Sequence, residues 1–248
     1  MMLYFIYTLD KLSLVIPGAM CGVGVLDTSV YGIYLMIVKI INLYMFSFWL
    51  ALHKKDISYP YNPYMKLKSI FFLIIFCFFI AEVVLEYFYF FAIEPKNVVD
   101  CCGAIFSTAS QTFIGALLQQ PNYFLYGAFY CNVAILLFGY FFKQNTLYAL
   151  GSVLFLPVAL ISLIGYFGTY IYELPTHHCP FCLLQSDYNY IGYLLYILLY
   201  TATFFGMLVG FDEQKKFFNY SLAAILAYSA LVSFYVFSYY LKNGVWLY

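Results

Sequence analysis

The chain of 248 residues carries no formal net charge, and it is 65% hydrophobic and only 9% charged. A soluble domain is about half apolar and about a quarter charged, so the composition excludes a soluble enzyme, a nucleic-acid-binding protein and a disordered protein. The apolar residues form continuous blocks, which also excludes an outer-membrane barrel. The sequence therefore predicts an all-α polytopic transmembrane bundle, with the lipid bilayer as its partner and residues 1–248 as a single membrane domain.

The N-terminal segment contains an apolar run from Leu12 to Leu26 that Pro17 and Gly18 interrupt. This run is short for a full span, and a broken helix is tolerated at membrane depth only where its backbone is satisfied. We expect a re-entrant or interfacial segment here, although a seventh span remains an alternative.

Six later segments are long enough to cross about 30 Å of hydrocarbon as helices. They run approximately over Ser29–Leu52, Ser69–Ile93, Tyr123–Phe142, Thr146–Tyr172, Tyr190–Gly210 and Tyr220–Tyr240.

Lysines set the predicted orientation, because all eleven basic residues are lysine. Seven of them lie in the connections after the first, third and fifth spans: Lys54, Lys55, Lys66, Lys68, Lys143, Lys215 and Lys216. The positive-inside rule places these connections in the cytoplasm. We therefore expect a multi-pass protein of the inner (plasma) membrane, with two external loops over residues 94–122 and 173–189.

The sharpest motif lies in the second external loop, where His177 and His178 precede Cys179-Pro180-Phe181-Cys182. A Cys-x-x-Cys spacing can close a disulfide or bind one metal ion through two sulfurs, and imidazoles add further ligands. If the segment begins a helix, its dipole favours the thiolate of Cys179. A plain disulfide that staples the loop is the alternative.

The first external loop contains the adjacent pair Cys101 and Cys102. A disulfide between neighbouring residues is strained, so we expect one of the two to exchange with Cys179 or Cys182 while the other resolves, or both to contribute to a metal site. The apolar stretch 103–118 that follows is too short to cross, and it is predicted to form an external half-helix.

Three polar residues lie near one depth of the predicted spans, namely Lys39, Glu82 and Asn132, and Glu86 lies one turn further out on the same face as Glu82. Charged groups at this depth are costly and usually face the bundle interior in pairs. A Lys39–Glu82 pair fits antiparallel first and second spans. Such a layer serves either as a proton path or ligand wall, or as a contact between helices.

Three functions fit these observations. The first is thiol–disulfide exchange or electron transfer, which would make the protein a membrane thiol–disulfide oxidoreductase. Its redox residues would be Cys179, Cys182, Cys101 and Cys102. The other redox partner would be a quinone or an external thiol protein. The second is Cu or Zn binding by His177, His178, Cys179 and Cys182 in support of an external metalloprotein. The third is an accessory subunit of a membrane complex whose cysteines form structural disulfides.

The first arrangement is similar to that of the quinone-linked disulfide-forming membrane enzymes of the DsbB and vitamin K epoxide reductase type. Those enzymes also place a Cys-x-x-Cys and a second cysteine pair at the outer face of a small helical bundle. The similarity covers only the four cysteines named above. This chain has more spans and a vicinal second pair, so membership is not implied.

Overall fold

The computed structural model describes residues 2–19, 21–94, 116, 118, 120–211 and 214–248. Over these residues the protein is helical and contains no strand. Two short N-terminal helices, α1 (Met2–Ser13) and α2 (Gly22–Leu26), precede six long ones. The long helices are α3 (Tyr31–Ile57), α4 (Met65–Phe91), α5 (Asn122–Phe141), α6 (Asn145–Tyr172), α7 (Ile191–Val209) and α8 (Lys215–Asn243).

All six long helices are long and apolar enough to cross a membrane, which confirms the predicted all-α multi-pass fold. Each predicted span matches one of them. The largest differences are at α3 and α8, which extend past the predicted ends into lysine-containing sequence up to Ile57 and from Lys215. Helices continue through charged turns because a lysine at a helix end can reach the interface while its stem stays apolar.

The N-terminal segment forms α1, of 12 residues, and α2, of 5 residues. At 1.5 Å per residue α1 is about 18 Å long, which is too short to cross. The two helices are consistent with the expected re-entrant or interfacial segment.

The chain divides into two compact units, Met1–Cys101 and Cys102–Tyr248, and the expectation of a single domain stays a prediction. In the first unit α3 and α4 pack against each other, and a polar network secures the ends that the short 58–64 connection joins. The buried carboxylate of Asp56 binds Lys68 Nζ at 2.7 Å and accepts the backbone N–H of Tyr64 at 2.8 Å.

The outward surface of α4 is strongly apolar, with exposed side chains such as Phe72, Leu73, Ile74 and Phe76. An exposed apolar surface of this extent marks a lipid-contacting or protein-contacting face. In a helix long enough to span the membrane it indicates contact with the bilayer.

In the second unit α5 packs on α6, α6 on α7 and α7 on α8. The backbone of α7 comes very close to α6 at Gly206, where an added Cβ would lie 2.6 Å from Ser152 Cβ. Small residues at such crossings are typical of membrane helices, because they let two backbones approach. A buried hydrogen-bond chain links three helices nearby, from Tyr148 Oη to Ser221 Oγ at 3.0 Å and on to the Ala202 carbonyl at 2.7 Å.

Candidate metal-binding loop

The Cys-Pro-Phe-Cys motif lies in the connection between α6 and α7. Glu173 ends α6 in the left-handed conformation, with φ of 56°, and Tyr190 precedes α7 with the same φ. Between them Cys182–Leu184 and Ser186–Tyr188 form two 3₁₀ turns. The second cysteine, and not the first, therefore begins a helical turn. Three residues are too short for the dipole effect that a long helix would exert on Cys179.

The two sulfurs of the motif lie together and are shielded from solvent. Cys179 Sγ and Cys182 Sγ are within 4.8 Å of one another. Cys179 is 1% exposed and Cys182 is 6% exposed. Two sulfurs that each lie about 2.3 Å from a tetrahedral zinc ion are about 3.8 Å apart, so the pair is compatible with one shared ion.

Two tyrosine hydroxyls hold the backbone of this motif. Tyr172, in the last turn of α6, donates its hydroxyl to the carbonyl of Cys179. Tyr196, in the second turn of α7, donates to the carbonyl of Pro180 at 2.7 Å. Tertiary hydrogen bonds therefore fix two consecutive peptide units of the motif from both flanking helices. The sequence gives no signal for these roles, because the tyrosines resemble the many others near helix ends.

The two histidines of the loop contact α6. The ring of His177 packs edge-on against the ring of Tyr172, with centroids 4.4 Å apart. His178 Nδ1 lies 3.0 Å from the carbonyl oxygen of Ile164. A carbonyl only accepts hydrogen bonds, so Nδ1 of His178 is the donor in this contact. Among the described residues neither histidine joins the two sulfurs in a group of ligand atoms within 4.8 Å of one another, so the structure brings together the two cysteines of the predicted ligand set but not its histidines.

The first turn of α7 supports the motif through a very close backbone approach. A Cβ built on Gly192 would lie 2.8 Å from the carbonyl carbon of Leu183 and 2.9 Å from its oxygen. Glycine at position 192 therefore lets α7 pack directly on the 3₁₀ turn that begins with Cys182. Gly192 is thus a third residue that supports the loop, and the sequence contains no signal for its role.

The vicinal pair Cys101 and Cys102 lies outside the described residues, as does most of the predicted external half-helix over 103–118. Their exchange or metal-sharing role stays a prediction.

The structure brings together three of the four polar residues predicted within the spans. Lys39 Nζ is 2.7 Å from Glu82 Oε1 and 3.0 Å from Glu86 Oε2. The Lys39–Glu82 ion pair that the sequence predicted within the membrane is therefore present. Asn42, which the sequence reasoning missed, donates its side-chain amide to Glu82 Oε2 at 2.5 Å. Its spacing of three residues from Lys39 places both on one helix face and was the available signal. Asn132 is buried on α5 in the second unit.

Comparisons with protein-family models, with curated proteins and with solved structures find no match to this chain.

Proposed function

We propose that this multi-pass membrane protein binds a soft d¹⁰ metal ion, Cu(I) or Zn(II), through the thiolates of Cys179 and Cys182. The observation that carries the proposal is the pair of shielded sulfurs within 4.8 Å of one another. Thiolates are the ligands that select Cu(I) and Zn(II) over harder cations.

The fixed loop backbone supports metal binding, because metal affinity rises when the ligands are held in place before the ion arrives. Tyr172 and Tyr196 hold the peptide units of Cys179 and Pro180. Outer partners of this kind orient ligands, and their loss typically costs about 10- to 100-fold in affinity or activity.

Burial favours metal binding over exchange with an external thiol protein. Thiol–disulfide exchange requires a thiolate to attack a sulfur, so its rate depends on access. With exposures of 1% and 6%, neither sulfur offers a partner protein an open approach. Electron transfer with a quinone or with Cys101 and Cys102 remains the second candidate, because the spacing of Cys179 and Cys182 also suits reversible disulfide formation.

The distribution of lysines supports a position for this loop on the side opposite the cytoplasm. Its nearest lysine along the chain is Lys143 on the N-terminal side and Lys215 on the C-terminal side, each beyond a whole span. We infer that the loop holds the metal ion at the external face of the inner membrane, in support of an external metalloprotein.

The first test measures metal content. The protein is purified anaerobically, reconstituted in lipid nanodiscs, and exposed to Cu(I) or Zn(II) before elemental analysis. We expect about one tightly held ion per chain, lost in both Cys179→Ser and Cys182→Ser. Cys131→Ser is the matched control, because Cys131 is an exposed cysteine on α5, and it should retain the ion.

The second test separates the metals and the redox alternative. His177→Ala with His178→Ala should reduce Zn(II) binding more than Cu(I) binding, since zinc requires four ligands and Cu(I) accepts two thiolates. A chain that holds neither ion, but whose Cys179 and Cys182 change thiol count with ambient potential, would refute the proposal in favour of disulfide exchange.

A further inference from the structure

The Lys39 cluster of the first unit is short of one positive charge. Lys39, Glu82 and Asn42 are 3%, 4% and 2% exposed, and one ammonium group faces two carboxylates. With every group ionised, the charges of Lys39, Glu82 and Glu86 add to −1. An uncompensated charge within a spanning helix is costly.

The same cluster is also short of one hydrogen-bond donor. The amide nitrogen of Asn42 donates to Glu82 Oε2 at 2.5 Å and to the carbonyl of Phe78 at 3.3 Å. With Glu82 ionised, both partners are acceptors, and the amide then has this orientation. The Oδ1 atom of Asn42 is then buried with no hydrogen-bond partner among the described residues.

Other groups of the first unit within residues 2–19 and 21–94 do not repair either deficit. From α1 the Phe5 ring lies under Lys39 Nζ, 4.7 Å from its centroid, while Asp10 and Lys11 of the same helix are exposed. On α4 the hydroxyl of Tyr89 is committed to the carbonyl of Val25 at 2.8 Å. From α3 only Lys39 contributes a described charge to the cluster.

We propose that Glu82 and Glu86 share one exchangeable proton, so that the cluster is a proton-binding site within the membrane. One proton brings the net charge to zero, and it adds one O–H donor to a cluster that contains a buried acceptor without a partner, Asn42 Oδ1. The proton comes from hydronium, which leaves water, and returns to water on release. This site is independent of the metal-binding function.

Glu86 is the more exposed carboxyl of the site. Its side chain is 27% exposed, compared with 5% for Glu82. Glu86 is five residues from Phe91 at the end of α4 and Glu82 is nine, so they lie about 7.5 Å and about 13.5 Å from that end. Protons would enter and leave through the outer carboxyl and be stabilised at the inner one.

Infrared difference spectroscopy on the full chain in nanodiscs tests the proposal, because a protonated carboxyl has a carbonyl stretch that a carboxylate lacks. At neutral pH we expect one protonated carboxyl in the wild-type cluster and none in Glu86→Gln, which leaves the neutral Lys39–Glu82 pair. Lys39→Met should contain two. Glu173→Gln, which alters an exposed pair with Lys242, should leave the signal unchanged.

Two results would overturn the proposal. The first is an identical carboxyl signal in wild type and Glu86→Gln. The second is a wild-type signal that is present in choline chloride and abolished by sodium chloride at the same pH, since that identifies the bound species as a hard metal cation. If Lys39→Met fails to fold, the comparison with Glu86→Gln still decides.

Discussion

Replacement of Tyr172 by phenylalanine should weaken metal binding while it leaves the fold of the helices intact. The substitution removes one hydroxyl group and keeps the ring, which packs against His177 and Tyr188 with centroid distances of 4.4 Å and 4.7 Å. What is lost is the donor to the carbonyl of Cys179. That carbonyl belongs to a residue that is 1% exposed, so water replaces the donor poorly.

The magnitude follows from the cost of a buried group left without its hydrogen bond, which is about 1–3 kcal/mol. If the whole cost falls on the metal-bound loop, the dissociation constant rises about 5- to 150-fold. If part of this cost is already present in the metal-free protein, that part lowers its thermal-unfolding midpoint instead. The structure therefore predicts the sum of the loss in metal-binding free energy and the loss in folding free energy.

The assay is competition between the protein and a chelator of known affinity, paired with a thermal-unfolding measurement on the metal-free protein. Tyr193→Phe is the matched control, because Tyr193 lies in the first turn of α7 and is 38% exposed. Tyr196→Phe should produce a loss of similar size. If Tyr172→Phe changes neither the affinity nor the unfolding midpoint beyond the control, the tyrosine hydroxyls do not position the loop.

Three further substitutions test the metal-binding loop, the crossing of α6 and α7, and the Lys39 cluster. Gly192→Ala should weaken metal binding and destabilise the protein by about 1–3 kcal/mol, because the new Cβ overlaps the backbone of the adjacent 3₁₀ turn; unchanged chelator competition would contradict this. Gly206→Ala should destabilise the second unit by a similar amount, whereas Gly127→Ala, which meets nothing within 4 Å, should not; thermal unfolding of the two variants compares them directly. Lys39→Met should lower stability to denaturant far more than Lys242→Met, since breaking a buried pair costs about 3–5 kcal/mol and an exposed pair about 0–1 kcal/mol; equal losses would show that the buried pair is not structural.

Hydropathy was sufficient to predict the spans, because a bilayer imposes both a length and an apolar composition on each helix. It did not predict the ends of α3 and α8. A helix can continue beyond the hydrocarbon region of the bilayer, and both helices extend past the apolar sequence. The Lys39–Glu82 pair was predictable for a similar reason: charges at one depth on neighbouring antiparallel spans have few other partners.

The support of the metal-binding loop could not be predicted in the same way. Tyr172 and Tyr196 act through contacts that exist only once α6 and α7 flank the loop, and a tyrosine in sequence carries no mark of its hydrogen-bond partner. The role of Gly192 could not be predicted either, since a glycine near a helix start indicates a turn as readily as a close packing position. The motif was visible in the sequence, but its rigidity was not.

Helix α6 contains a wide turn, which has a consequence for the direction in which the end of that helix points. Residues Leu163–Phe167 form a π-helical turn, which contains one more residue than an α-helical turn would and so changes the helical phase of everything after it. Tyr172 lies in the phase-shifted part, and Ile164, within the wide turn, supplies the carbonyl that His178 contacts. Deletion of one residue from this turn would rotate the last turn of α6 by about 100°. One extra residue in the helix thus sets the direction in which the Tyr172 side chain and the Ile164 carbonyl face the cysteine loop.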